Sequence, residues 1–561
     1  MDETNNPARS GGQILIEALV AQGVDRVFCV PGESYLAALD ALHDAPISIV
    51  VCRQEGGAAM MADAYGKLTG RPGICFVTRG PGATNASPGI HIASQDSTPM
   101  IVLVGQVGRG MRDREAFQEL DYPAVFGSMT KWSAEIQDTS RIPEYIHRAF
   151  STAMNGRPGP VVLSLPEDML SATASALAAP YVEPAPTAPS AQAMDRLADL
   201  LAGAERPIMV LGGSRWTAQA VADIERFAAR YDLPVGCQFR RQSLFNSTHP
   251  SYAGDVGIGP SPTLAKDLRD ADLFLLVGGR LSEIASSDYS LLDIPVPKQA
   301  LVHVHPSAEE LGRVYAPTLP IHADPASFAA AAAALTPPET IAWADRTRAA
   351  NAGYHAWSDN PPPRPGAVDY AAIVQWLRDR LPDDAIICNG AGNYAIWLHR
   401  FLRYRGYGTQ ISPTSGSMGY GVPAAIAAKG LYPDRTVVAF AGDGCFLMNG
   451  QEFATAAQYG LPILVIVVDN GMYGTIRMHQ ERTYPGRVSG TGLENPDFAA
   501  LARAYGGHGE TVEATADFAG AYERAVSSAK PALIHLKVDP EAILPAATLT
   551  ELRETALAAA D

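Results

Sequence analysis

The sequence is poor in cysteine and shows no arrangement of it. Six thiols in 561 residues (Cys29, Cys52, Cys75, Cys237, Cys388, Cys445) stand singly, with no CxxC and no Cys/His cluster. This excludes a disulfide framework and a structural zinc site, and points to buried thiols in a cytoplasmic protein. Long apolar runs are also missing: stretches such as Leu461 to Val468 fall far short of the roughly 20 residues that span a bilayer, so no membrane is expected. Basic residues are not in surplus. The 43 Lys and Arg against 59 Asp and Glu give a formal charge of −16, which repels a phosphate backbone and argues against nucleic acid. The opening MDETNNPARSGG has two acids before its first base and no apolar stretch behind it, so a secretory leader is not expected.

What is present is ordinary globular composition, 47% hydrophobic and 18% charged. Two stretches have linker character, Tyr181 to Gln192 and Asn360 to Gly366. They divide the chain into residues 1–180, 193–336 and 367–545, with a tail at 546–561. In each block short β-branched runs alternate with amphipathic stretches. The runs are Val27 to Val30, Ile47 to Val51, Ile74 to Thr78 and Met100 to Val104 in the first block. Ile208 to Leu211, Leu273 to Val277 and Leu301 to Val304 follow in the second, and Ile386 to Cys388, Thr436 to Phe440 and Ile463 to Val468 in the third. The alternation predicts an α/β protein of three doubly wound parallel-sheet domains, with ligands at the carboxyl ends of strands.

The outer blocks share a weak repeat. A strand leads to Gly80-Pro81-Gly82 and then Pro99 in the first, and to Gly442-Asp443-Gly444 and then Pro462 in the third, at glycine-to-proline spacings of 19 and 20 residues. A GxG turn alone says little. Here it is followed, after 24 intervening residues, by Asp469-Asn470 at the end of the next strand. Adjacent parallel strands bring Asp443 and Asn470 to one crevice, where their oxygens suit a hard cation such as magnesium completed by phosphate oxygens. The glycines admit a diphosphate, and the amides that open the following helix face it.

With these residues in place, the sequence resembles the thiamine diphosphate (ThDP) dependent enzymes, in particular the acetolactate synthase and 2-oxo-acid decarboxylase branch, whose signature is GDG followed some two dozen residues later by NN. Asp469 replaces the first N. The resemblance implies a pyrimidine-binding first domain, a Rossmann-like middle domain and a diphosphate-binding third domain. It implies Mg2+ on Asp443, Asn470 and the carbonyl of Met472, with Gly392, Asn393, Gly416, Met418, Gly442, Gly444, Cys445 and Tyr473 around the cofactor. Met418, in Gly416-Ser417-Met418-Gly419, matches the residue that props the cofactor in a bent form. From the first block, Arg53-Gln54-Glu55-Gly56-Gly57-Ala58 matches the segment whose glutamate exchanges a proton with the aminopyrimidine ring, which makes Glu55 the catalytic acid-base. Gly32, Thr78 and Asn85 are further cofactor contacts, the last two in a TSGPGATN-like turn with Arg79 in place of serine.

Substrate residues are read in two directions. Phe117-Gln118 and Thr130-Lys131-Trp132 agree with acetolactate synthases, but His479 stands where those carry a tryptophan. Val30-Pro31-Gly32-Glu33 resembles the VPGD of 2-oxo-acid decarboxylases, with Glu33 as the active-site acid. Glyoxylate carboligase is excluded, since it lacks the glutamate present here as Glu55. The expected activity is therefore a ThDP- and Mg-dependent lyase or carboligase that cleaves a small 2-oxo acid such as pyruvate, or an α-diketone, through Glu55, Glu33 and Gln118, and ligates the fragment to an aldehyde or ketone. An oxalyl-CoA decarboxylase-like or 2-hydroxyacyl-CoA lyase-like enzyme is the alternative. FAD or ADP is a possible middle-domain ligand through Gly278-Gly279-Arg280. The middle block has no GxGxxG, which argues against a nicotinamide dehydrogenase. The intact Glu55, Asp443 and Asn470 argue against a non-catalytic relative. A homodimer or dimer of dimers, with active sites at the subunit interface, follows from the division of the site between first and third domains.

Overall fold

The computed structural model describes residues 7–560. Residues 1–6, which include the acids of the opening segment, and residue 561 of the tail lie outside the described residues. Three six-stranded sheets carry the fold, and every pairing within them is parallel. The first runs, edge to edge, Ser48–Val51, Arg26–Cys29, Gly73–Val77, Met100–Gln106, Pro160–Pro166, Trp132–Glu135. The third runs Gln410–Ile411, Ile386–Asn389, Val437–Gly442, Leu464–Asp469, Ala532–Lys537, His508–Val512. Numbered by chain order within each domain, both read 2-1-3-4-6-5. The repeat glimpsed in the glycine turns is therefore a repeat of topology, for each turn follows the third strand of its sheet. The middle sheet differs: Tyr252–Val256, Val235–Gln238, Pro207–Leu211, Leu273–Val277, Ala300–His305, Leu319–His322, or 3-2-1-4-5-6.

The central strands are buried on both faces, as their unbroken apolar runs require: Met100–Gln106, Leu273–Val277 and Pro160–Pro166 are buried throughout. By contact, the described chain forms two compact units. One is the chain up to Ala185 together with Ile426–Leu431 and Asn449–Tyr459, and the other is the remainder. The first linker ends earlier than composition suggests, because Ser190 caps the helix Ala191–Ala202 by accepting from the Ala193 N–H at 3.2 Å. The C-terminal segment is no loose tail either. It folds as the helix Leu549–Ala560, whose Arg553 bonds the buried Glu481 through Nε at 3.0 Å and Nη2 at 2.6 Å, while Leu549 packs with Met478, Ile543 and Leu544. All six cysteines are buried and none forms a disulfide. Among the described residues no helix is long and apolar enough to cross a membrane.

Candidate active site

In the third domain the strand Val437–Gly442 ends at the GDG turn and its neighbour Leu464–Asp469 ends at Asn470, with Gly442 registered opposite Val468. Both strand ends open into one cavity of about 240 Å³. Its wall includes Gly392, Asn393, Gly416, Met418, Gly442, Asp443, Gly444, Cys445, Asn470, Met472 and Tyr473, all eleven third-domain residues expected from sequence. The loops are cross-tied. Cys445 Sγ accepts from the Gly419 N–H at 3.2 Å and lies 3.4 Å from the Tyr394 hydroxyl, joining the turn to the Gly416–Gly419 loop and to the helix Tyr394–Phe401. The Thr475 hydroxyl donates to Asn393 Oδ1 at 2.9 Å.

Asp443 is the hub of the turn and is 3% exposed. Its Oδ1 accepts from the Gly444 N–H at 2.8 Å, and its Oδ2 from the Met472 N–H at 3.2 Å and from Asn495 Nδ2 at 2.8 Å. Asn495 also donates to Asp469 Oδ1 at 2.8 Å, so one amide bridges two carboxylates. Asp469 is held as well by His535 Nε2 at 2.7 Å. Burial, reinforced by the nearby Asp469, pushes the Asp443 carboxyl's proton affinity up. The bonds from His535, Gly471 and Asn495 hold Asp469 low against its own burial. Among the described residues Asp443 has no basic side chain as partner, and no three His, Cys, Asp or Glu side chains group as a metal cage. A buried carboxylate lacking a counter-charge, beside an amide side chain and a backbone carbonyl, is a donor set that suits Mg2+ only when phosphate oxygens complete it. The residues present thus fit a magnesium-diphosphate group.

The first-domain residues gather around another turn. Glu55 opens the helix Glu55–Thr69, whose N-cap is Gln54. Its Oε2 accepts from Asn85 Nδ2 at 3.0 Å, and its Oε1 faces Gly82, where even a methyl group would lie 3.2 Å away. Thr78 packs on Gly32, and its hydroxyl is 3.0 Å from that of Ser34. Gln118, itself at φ 64°, lies against Gly80. Glu33 Oε1 accepts from Arg79 Nη2 at 2.9 Å, and the Arg79 guanidinium sits 6.0 Å over the Phe117 ring. Every first-domain residue expected from sequence is therefore in or beside this cluster, and Arg79 bonds one of them, Glu33. Glu452, which the motifs did not reveal, holds the same region. Fully buried, it accepts from the Arg53 and Gln54 N–H groups, both at 2.9 Å, immediately before Glu55. His479, at the tryptophan position, is exposed on the helix Gly474–Thr483.

The middle domain closes its own crevice. In the order 3-2-1-4-5-6 the reversal falls between Pro207–Leu211 and Leu273–Val277, where a nucleotide would enter over Gly212 and Gly279. The Gln238 side chain lies there instead. A methyl group on Gly212 would stand 1.9 Å from its Oε1 and one on Gly279 2.1 Å, while its Nε2 donates to the Arg280 carbonyl at 2.8 Å. Arg241 Nε and Trp216 Nε1 take the Gly213 and Gly212 carbonyls at 3.1 and 2.8 Å. The Gln238 amide thus occupies the switch point between Gly212 and Gly279.

Comparison with known proteins shows the family. Residues 9–125 match the N-terminal TPP binding domain of thiamine pyrophosphate enzymes, 194–332 the central domain and 390–536 the C-terminal TPP binding domain. The chain belongs to the thiamine pyrophosphate enzyme family, and it is a ThDP-dependent enzyme. Within that family it is acetolactate synthase-like. It is 31% identical to the acetolactate synthase isozyme 2 large subunit of Escherichia coli over 536 residues, which is 94% of this chain and 96% of that one. It is 33% identical over 520 residues to the acetolactate synthase large subunit of Parasynechococcus marenigrum, covering 89% and 82%. It is 30% identical over 553 residues to the probable acetolactate synthase large subunit of Methanocaldococcus jannaschii, covering 95% and 93%.

Proposed function

We propose that the protein is a ThDP- and Mg-dependent lyase and carboligase that cleaves a small 2-oxo acid such as pyruvate and joins the retained fragment to an aldehyde or ketone. The observation that carries this reading is the single cavity into which separate sequence motifs deliver Asp443, Asn470, Met472, Met418 and Asn393. When bound, the cofactor supplies a nucleophilic carbon that adds to a carbonyl and accepts the electron pair of the carbon-carbon bond that breaks. Asp443, Asn470 and the Met472 carbonyl would hold the metal, with the Gly442–Gly444 turn beside the diphosphate. Met418, in the cavity wall, would pack against the cofactor between its two rings. Glu55, steadied at Oε2 by Asn85, moves a proton at Oε1, where Gly82 offers no side chain to block it. Glu33, which accepts one bond from Arg79, supplies the proton that releases an aldehyde. Gln118 has only an amide and orients the carbonyl of an acceptor. Glu55 of one copy serves the metal site of a second copy, so the working form is a homodimer or a dimer of dimers. Six buried cysteines without a disulfide suit the reducing cytoplasm.

Product analysis by NMR tests the reaction. Pyruvate should be consumed only with added ThDP and Mg2+, giving aldehyde alone and a ligated product when an acceptor aldehyde is supplied. Glu33→Gln should shift the ratio toward ligation. No consumption of any 2-oxo acid would overturn the reading and direct the assay to oxalyl-CoA.

The middle domain works without a nucleotide in this reading, because Gln238 fills the crevice. Denatured, freshly purified protein should release neither flavin nor adenine nucleotide in stoichiometric amount. One equivalent of either, identified by chromatography, would contradict it.

A further inference from the structure

We propose that Arg79 binds a carboxylate that the reaction keeps, and so selects the substrate of the site read above; the inference rests on that reading. Arg79 lies between Thr78, which packs on Gly32, and Gly80, which packs on Gln118. The residue is 7% exposed, and its Nε is buried with no hydrogen-bond partner. One nitrogen, Nη2, reaches Glu33, whose side chain is 69% exposed. A guanidinium presents a rigid fork that matches a carboxylate with two parallel bonds. Here the fork is engaged at one nitrogen by a solvated carboxylate, a partner of the kind that is weakly held and exchangeable. Phe117, 72% exposed beneath the guanidinium, supplies an apolar floor at the open side.

The chemistry decides which carboxylate belongs there. A carboxylate that departs as carbon dioxide loses its charge in the transition state. A cation bound to it would stabilise the starting state more than the transition state and slow the cleavage. A carboxylate retained in the product keeps its charge throughout, so a cation can bind it without opposing the reaction. Two sources share this chemistry: an acceptor that is itself a 2-oxo acid, and a dicarboxylic donor whose distal carboxylate survives. With a formal charge of −16 the protein as a whole repels such anions, so the site needs a cation of its own.

The test compares wild type, Arg79→Lys and Arg79→Ser, all loaded with ThDP and Mg2+. With pyruvate as donor, one arm uses a neutral aldehyde acceptor and a second a 2-oxo acid acceptor, while a third replaces the donor by 2-oxoglutarate. Arg79→Ser should raise KM in whichever anionic arm wild type uses, by about 30-fold as for a lost charge-assisted hydrogen bond, and by clearly less in the neutral arm, where only its bond to Glu33 is lost. Arg79→Lys should recover part of the loss, because it restores the charge but not the fork. A readout without turnover accompanies these: calorimetric binding of glutarate, present in wild type and lost in Arg79→Ser. Equal losses in the neutral and anionic arms, or glutarate binding unchanged in Arg79→Ser, would overturn the proposal. If wild type consumes no 2-oxo acid the proposed reaction fails, while the glutarate measurement still reports on Arg79 by itself. Should Arg79→Ser not fold, Arg79→Gln replaces it in every arm.

Discussion

Asp443→Ala is expected to abolish useful cofactor binding while the chain still folds. The carboxylate caps a turn at a strand end rather than filling a core, yet it organises three donors: the Gly444 and Met472 N–H groups and the Asn495 amide. Two opposing effects on stability follow. Unpaired buried donors cost about 1–3 kcal/mol each, less where water enters. Against this, removing a buried carboxylate that has no counter-charge relieves a desolvation cost, which is the same burial that pushes its proton affinity up. The fold should therefore survive with a modest change in Tm. Affinity has no such compensation. Loss of a residue that only orients a metal ligand costs about 10- to 100-fold, so loss of the charged ligand itself should cost at least the upper figure. Calorimetric titration of ThDP with Mg2+ into stripped protein measures it, with EDTA-treated wild type as reference. Asn495→Ala, acting through Asp443 from behind, should fall between the two. Undiminished binding in Asp443→Ala would remove the metal assignment altogether.

The relation between motif and fold shows why some of this was legible in the sequence and some was not. Strands buried on both faces are continuous apolar runs, and Leu273–Val277 lies where the sequence predicts it. Edge strands are short or polar: Gln410–Ile411 is two residues, and His508–Val512 reads HGETV. Pro160–Pro166 is fully buried but bracketed by prolines, which read as punctuation. In the site, residues within a motif were visible because one tight turn fixes their spacing. Asn495 was not, since it reaches Asp443 only because residues 491–493 pair with the loop Gly471–Tyr473, as in the bond from the Leu493 N–H to the Gly471 carbonyl at 2.8 Å. Asp469 looked like a harmless departure from the family pattern until the neighbouring strand supplied His535. Glu33 and Arg79 are likewise two departures, far apart in sequence, that meet as one ion pair. A single sequence carries no signal for such partners, because nothing local depends on them.

Glu55→Gln should bind the cofactor and fail to activate it. The substitution preserves size, and the amide oxygen can still accept from Asn85, which now holds Oε2 at 3.0 Å. What disappears is the carboxyl that exchanges a proton at Oε1, the atom facing Gly82. Loss of a positioned acid-base group lowers rates by roughly 10²- to 10⁴-fold. Deuterium exchange at the reactive carbon of the bound cofactor, followed by rapid acid quench, should slow by the same factor while calorimetry shows near-normal affinity. Exchange at the wild-type rate would exclude Glu55 as activator. The same variant reports on assembly. Asp443→Ala lacks the metal ligand and Glu55→Gln lacks the base, so each is inactive alone. If Glu55 of one copy serves the clamp of its partner, a mixed dimer has one site with both defects and one with neither. Random co-assembly in a two-fold dimer then gives about half mixed dimers and about one quarter of the wild-type sites. Co-expression of the two inactive chains should restore activity near that fraction. If every site is built from one chain, no recombination of these subunits yields an intact site, and the mixture stays as inactive as its parts.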